Sequence, residues 1–300
     1  MRQRAPLVLA AVLAMLAGGL FWLSRPQPLP ATAFAALAPG DPERGEAVFH
    51  ATGCAGCHAA PGASGAARLV LSGGRAFATD FGTFRAPNIS SDVAHGIGGW
   101  SLPELGNALL RGVAPDGRHY YPAFPYVAYA RMALQDVADL HAFLSDLPAD
   151  ATPNEGHDLR FPFTFRRGIG LWKARYMDRG WAVAGDLPEP AARGRYLAEA
   201  LAHCGECHTP RDRFGGLNHA RWMAGAPNHS GDGRIPGITP AQLGWDAQDI
   251  VIYLSTGLTP DFDAAGGSMA DVVDNLAGLA EAELEAIAAY LLILPDPRQD

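Results

Sequence analysis

All four cysteines of this 300-residue chain fall in two copies of one pattern, CAGCH at 54–58 and CGECH at 204–208. No other feature narrows the possible folds as much. Two residues three apart share one face of a helical turn. The spacing therefore points the thiols of Cys54 and Cys57, and of Cys204 and Cys207, the same way, with His58 or His208 immediately after. That is the attachment pattern of a c-type haem, with two thioethers to the vinyl groups and one imidazole on the iron. Other cysteine chemistry suits the pattern less. A zinc site joining the pairs would span 150 residues and leave each histidine unexplained. A thioredoxin-like pair needs neither the histidine nor a second copy. Disulfides are open to an exported protein, but they do not place a histidine after each pair. Two covalently bound haem c groups are the expected cofactors.

The rest of the chain repeats with the motifs. RGEAVFHATGC (44–54) aligns with RGRYLAEALAHC (193–204), which carries one extra residue. GWSLPELGNALLRG (99–112) aligns with GWDAQDIVIYLSTG (244–257), and LHAFLSDLP (140–148) with IAAYLLILP (287–295). A single repeat of this length is two copies of a domain and not a solenoid. Each copy reads as three helices. The first leads into the motif and opens on Asp41 as N-cap, with Pro42 and Glu43 in its first turn. The second spans 103–111 or 248–256, and the third 134–147 or 281–294, ending at Pro148 or Pro295. Gly45 and Gly194 would let the third helix cross the first closely, at Phe143 or Tyr290. Such small domains have little core of their own, and a buried haem supplies much of it. The expected fold is all-α: two tandem class I cytochrome c domains after an N-terminal segment. The boundaries are 1–25 for a signal or anchor, 26–39 for a linker, 40–150 for domain one, 151–187 for an interdomain linker and 188–296 for domain two.

The N-terminus places Arg2 and Arg4 before an uncharged run from Leu7 to Leu23. This is an export signal, and the run is just long enough to span a bilayer. No small-x-small cleavage site follows closely, and Trp22 suits an interfacial anchor, so a retained anchor is favoured over a cleaved peptide. The remainder then lies on the periplasmic side of the inner membrane, anchored or secreted. The net charge is −8 and Lys173 is the only lysine, so nothing points to nucleic acid. No nucleotide-binding glycine pattern occurs.

The stretches FRAPNISSDVAHGIGGWS, RGVAPDGRHYYPAFPY, LRFPFTFRR and GGSMADVV resemble the cytochrome c subunits of bacterial periplasmic alcohol, gluconate and aldehyde dehydrogenase complexes. The resemblance covers residues 40–296. It implies a donor, the catalytic subunit of a periplasmic dehydrogenase, and an acceptor in the respiratory chain. Members of that family often carry three haem domains, and this chain has two C-x-x-C-H motifs.

A class I haem usually takes a methionine sulfur opposite the histidine. Met269 lies twelve residues after Gly257 and is the expected ligand in domain two, with Met223 read as packing. In domain one, twelve residues after Gly112 is Phe124, where the family's usual form has Met. Phenylalanine cannot ligate iron. Three choices remain for the first iron: Met132, otherwise an apolar staple before the last helix; His119, otherwise a loop residue or a propionate partner; or an open position.

Pro61 and Pro210 are candidates to accept the Nδ1 protons of the haem histidines. Trp100 and Trp245 read as core, and Asn88 carries no assigned role. The basic and aromatic segment 159–181 reads first as a linker packed over both domains and second as a docking face. The expected function is electron transfer, with no catalytic residues. The alternative is a dihaem enzyme, a peroxidase or a thiosulfate-oxidising cytochrome, working at an open first haem. A gas sensor is the weakest reading.

Overall fold

A computed structural model describes residues 4–177, 180–228 and 233–297; Arg2 and Arg179 lie outside them. In the first half, α1 (Arg4–Leu23) precedes α2 (Pro42–Thr52), α3 (Cys54–His58), α4 (Leu102–Arg111), α5 (Tyr126–Tyr129) and α6 (Leu134–Asp146). The connection holds α7 (Gly168–Tyr176). The second half has α8 (Ala191–Arg195), α9 (Gly205–His208), α10 (Pro240–Leu243), α11 (Ala247–Thr256), α12 (Ser268–Leu276) and α13 (Glu281–Leu291).

The all-α expectation needs correction. β1 (Ala76–Thr79) and β2 (Gly82–Arg85) form an antiparallel hairpin, and β3 (Asp158–Leu159) adds to its edge. A second small pair joins β4 (Ala226–Pro227) to β5 (Arg234–Ile235). These strands are two to four residues long, too short for a period-2 pattern to stand out of the sequence. Because β3 comes from residues 158–159, the connection between the halves is a built part of the first half.

Helix starts follow local chemistry. Asp41 caps α2 by accepting from the Glu43 and Arg44 amides, with Pro42 in the first turn. Ser101–Glu104 and Asp246–Asp249 form capping boxes for α4 and α11. In each half the first and third helices cross at a glycine. A Cβ on Gly45 would lie 2.1 Å from Asp139 O, and one on Gly194 would lie 1.8 Å from Ala286 O. Phe143 and Tyr290 stand at these crossings, as the sequence predicts. Around the first crossing the buried Asp139 accepts from Arg44 Nε at 2.8 Å and from the Asp41 amide at 2.9 Å.

The extra residue of the second half has a definite place. Residues Tyr196–Leu201 form a π-helical turn, in which the Ala202 amide donates to Leu197 O at 2.7 Å. A π-bulge absorbs one inserted residue without breaking the helix. One hydrophobic cluster runs through both halves, from Phe49, Leu109 and Leu140 to Leu201, Ile250 and Ile287. Trp100 and Trp245 are half-buried against it.

Candidate haem sites

Each C-x-x-C-H turn follows a residue with positive φ, Gly53 at 65° and His203 at 43°. That turn redirects the chain after α2 or the π segment and starts the motif helix. All four cysteines are unpaired; Cys57 and Cys207 are exposed, while Cys54 and Cys204 are half-buried. Burial pushes the Cys54 thiol up to about 11 and the Cys204 thiol up to about 12.

The two histidines are held identically. His58 Nδ1 lies 2.8 Å from Pro87 O, and His208 Nδ1 lies 2.8 Å from Pro236 O. A carbonyl can only accept, so Nδ1 carries the proton and Nε2 keeps its lone pair. Burial lowers the pKa of both rings, which favours the neutral, ligating form. The carbonyls come from Pro87 and Pro236, and not from Pro61 or Pro210. They stand in the matching stretches APNI (86–89) and IPGI (235–238), a shared P-x-I that could have identified them. The frame around them repeats too. Gly73 and Gly225 each donate to the histidine carbonyl at 2.7 Å, and Ile89 and Ile238 each donate to Leu71 O or Met223 O at 2.9 Å. Met223 thus occupies the place of Leu71, fully buried, in line with its reading as packing.

The residues expected opposite the histidines also repeat in register. Val113 bridges His119 as Leu258 bridges Ala264. The Tyr120 amide donates to Gly112 O at 2.8 Å, and the Ala265 amide to Gly257 O at 2.7 Å. Phe124 therefore matches Met269. Farther along, the Met132 amide donates to Tyr129 O and the Leu279 amide to Leu276 O, both at 2.9 Å, so Met132 matches Leu279. Met132 is buried in the core, and Met269 is half-buried against it. Phe124 sits edge-on to the rings of Tyr120, Tyr126 and Tyr129.

His119 is committed elsewhere. Its Nε2 donates to Ser24 O at 2.9 Å, so Nδ1 is the acceptor and receives a hydrogen bond from Lys173 Nζ at 3.2 Å. Lys173 also donates to the C-terminal carbonyls of α4, Arg111 O at 2.7 Å and Gly112 O at 2.6 Å. Burial brings the lysine down to about 7.

The halves meet through elements that flank the two motifs. α12 packs on α2 and α3, where Arg75 Nη1 donates to Asp271 Oδ2 at 2.7 Å and Arg68 Nη1 to Asp274 Oδ2 at 2.9 Å. On the opposite side α5 packs on the π segment. There Tyr129 donates its hydroxyl to Thr52 O at 3.0 Å, and its ring meets His203 edge-on at 5.7 Å. Thr52 stands two residues before Cys54 and His203 one residue before Cys204, so Tyr129 touches both approaches.

Three further residues escaped sequence reasoning. Glu199, buried in the π segment, accepts from the Ala182 amide at 2.7 Å and from the Tyr290 hydroxyl. Asn88 accepts nothing from the motif; it donates to Asp150 O at 2.7 Å and Thr152 O at 3.0 Å and pins the connection. The Tyr126 hydroxyl is buried without a hydrogen-bond partner among the described residues.

The donor set fits haem c. Paired free thiols on one turn and an imidazole with its Nε2 lone pair available recur twice. Among the described residues no three His, Cys, Asp or Glu side chains converge as a bare metal site would require. Comparison with known proteins agrees. A cytochrome c family model matches residues 42–148. A diheme c-type cytochrome of Cereibacter sphaeroides is 54% identical over 295 residues, covering 98% of this chain and 99% of that protein. The fructose dehydrogenase cytochrome subunit of Gluconobacter japonicus is 38% identical over 84% of this chain and 52% of its own length. The cytochrome c subunit of the quinone alcohol dehydrogenase of Gluconobacter oxydans is 34% identical over 84% of this chain and 54% of its own. This chain therefore spans about half the length of those two dehydrogenase subunits.

Proposed function

Taking as premise that this chain belongs to the diheme c-type cytochromes, we propose that it is a two-domain electron carrier, residues 40–150 and 188–296, serving a dehydrogenase. Haem c supplies one-electron chemistry at its iron. Cys54 and Cys57 attach the first group and Cys204 and Cys207 the second. His58 and His208 ligate through Nε2, oriented by the Pro87 and Pro236 carbonyls. Met269 supplies the thioether in the second domain and Met132 in the first. One observation carries the Met132 assignment. Each half has one methionine at two matched positions, with Phe124 and Met132 in the first and Met269 and Leu279 in the second. His119 has both ring nitrogens occupied by Ser24 and Lys173.

The donor is the catalytic subunit of a periplasmic dehydrogenase and the acceptor a respiratory-chain component. Two observations support this: the cytochrome subunits among the relatives and the exposed apolar α1, which has a mean hydropathy of 2.2 over Pro6–Leu23 and fits an anchor or signal. The rival reading is a dihaem peroxidase or thiosulfate oxidase. The register of Met132 with Leu279 favours it, because a packing Met132 would leave the first iron open. A CO-difference spectrum of the dithionite-reduced full-length protein separates the two. We expect no CO uptake, two one-electron steps in a redox titration, and no consumption of peroxide or thiosulfate. Stoichiometric CO binding with turnover of either substrate would replace the carrier with an enzyme.

A further inference from the structure

The segment joining the halves does not simply pack over them. Phe161, Phe163 and Phe165 are 86%, 41% and 66% exposed. Three large apolar side chains in one exposed five-residue run need a covering surface. Their position says which. The segment is bolted to the point where α1 leaves the body. Arg167 donates to Phe21 O at 2.7 Å and to Ser24 Oγ at 3.0 Å, and its guanidinium stacks 3.9 Å over the Phe21 ring. Gly170 abuts Ser24 so closely that a Cβ there would lie 2.2 Å from Ser24 O. Arg166 donates to His119 O at 3.1 Å, and His119 donates to Ser24 O. Tyr121 donates to Phe163 O at 2.8 Å.

The α1 exit is therefore tied to the body at several points. Beyond it, Asn107 clasps the backbone of Leu29 and Arg111 donates to Gln27 O at 2.8 Å. A 20-residue helix is about 30 Å long, which matches the hydrocarbon core of a bilayer. With α1 in a membrane, the body cannot swing clear of the surface, and the residues beside its exit face the headgroups. Charge points the same way. Residues 160–175 hold Arg160, Arg166, Arg167 and Arg175 and no acidic residue, in a chain of net charge −8, while Lys173 is turned inward onto the end of α4. Aromatic rings at the interface and cations toward anionic headgroups are what such a surface selects.

We propose that Phe161–Phe165 forms an aromatic membrane-docking loop that, with α1, seats the body on an anionic bilayer in one fixed orientation. This rests on the reading of α1 as a retained anchor. Two contacts with the bilayer instead of one would fix which face of the protein a membrane-bound redox partner meets.

The test uses the full-length haem-loaded protein in nanodiscs of phosphatidylcholine and phosphatidylglycerol, with a trace lipid bearing a photoactivatable acyl chain. Mass spectrometry then maps the labelled peptides. Label is expected on α1 and on the peptide holding Phe161–Phe165. Phe161→Ser combined with Phe165→Ser should lower label on that peptide several-fold, leaving α1 labelling and the haem spectrum unchanged. Label on α1 alone would overturn the loop and leave the anchor standing. Label on neither, with a normal haem spectrum, would overturn both and leave the electron-carrier reading untouched. Protection of Phe161–Phe165 from solvent only when a dehydrogenase subunit is added would assign the patch to a protein partner and overturn the proposal.

Discussion

After Gly112 and after Gly257 the chain follows the same backbone path for twelve residues and then presents Phe124 in one half and Met269 in the other. Further on, the half with Phe124 has Met132, and the half with Met269 has Leu279. The backbone matches at both points, with two more residues between them in the second half, while the methionine stands at a different one of the two in each half. The comparison teaches that a repeat preserves the frame that holds a haem histidine more strictly than the residue facing it. The Pro87 and Pro236 carbonyls, the Gly73 and Gly225 amides and the glycine crossings recur almost atom for atom. On the proposed assignment, the sulfur comes from a different one of the two matched positions in each half.

The largest effects should come from exchanging those residues. Met269→Phe should give the reduced protein a new stoichiometric CO-binding site and lower the potential of the second haem. Adding Leu279→Met to that variant should withdraw the CO site, because the second half then copies the first. Met132→Leu is the mirror change and should open the first haem to CO. If it leaves CO uptake and both potentials unchanged, Met132 is packing like Leu279 and the proposed equivalence breaks.

Stability variants compare the two crossings next. Gly45→Ala and Gly194→Ala both drive a methyl into a carbonyl, and overpacking of this kind costs about 1–3 kcal/mol. Gly194→Ala should cost more, since its approach is 1.8 Å against 2.1 Å. Denaturant unfolding of the haem-loaded proteins measures both; equal midpoints would mean that one crossing relaxes where the other cannot.

The crossings also differ in charge. Asp139 in the first half stands where Ala286 stands in the second. Burial alone would raise the Asp139 carboxyl, but hydrogen bonds from Arg44, the Asp41 amide and Gln135 outweigh it and hold it below the ordinary value. A carboxyl lowered in the folded state contributes stability that is present above its unfolded pKa of about 3.9 and lost as pH falls through the folded value. The first half should therefore weaken in acid through this group. Asp139→Asn should cost about 1–2 kcal/mol at neutral pH, and the cost should vanish in acid. An acid profile unchanged by the substitution would show that Asp139 is not the group responsible.

The smallest effect belongs to the junction. Arg75 and Asp271 are 35% and 30% exposed, and pairs of that kind contribute roughly 0.2–1 kcal/mol, less at high salt. Arg75→Ala should lower stability by that amount in low salt only. A larger, salt-insensitive loss would mean that Arg75 acts within the first half, by holding the motif helix through Gly56 O, and not across the junction through the carboxylate.

What is local or repeated could be read from the residues alone. The two C-x-x-C-H turns, the Asp41 cap, the helix order and the glycine crossings follow from spacing and residue type, because neighbours in a helix are fixed by its period. The match of Phe124 to Met269 was legible for the same reason, since two equal counts from two glycines need no tertiary knowledge. Packing alone selects the carbonyl that each histidine meets, because Pro87 lies 29 residues from His58 and Pro236 lies 28 residues from His208. It also bound His119 to Ser24 and Lys173, 95 and 54 residues away. It turned the inserted residue into a π-turn, brought Tyr129 between the two motifs, and left three phenylalanines exposed beside the apolar helix where composition alone suggested a covered linker. Each of these is a contact between distant segments, fixed by how the segments pack rather than by the residues beside them.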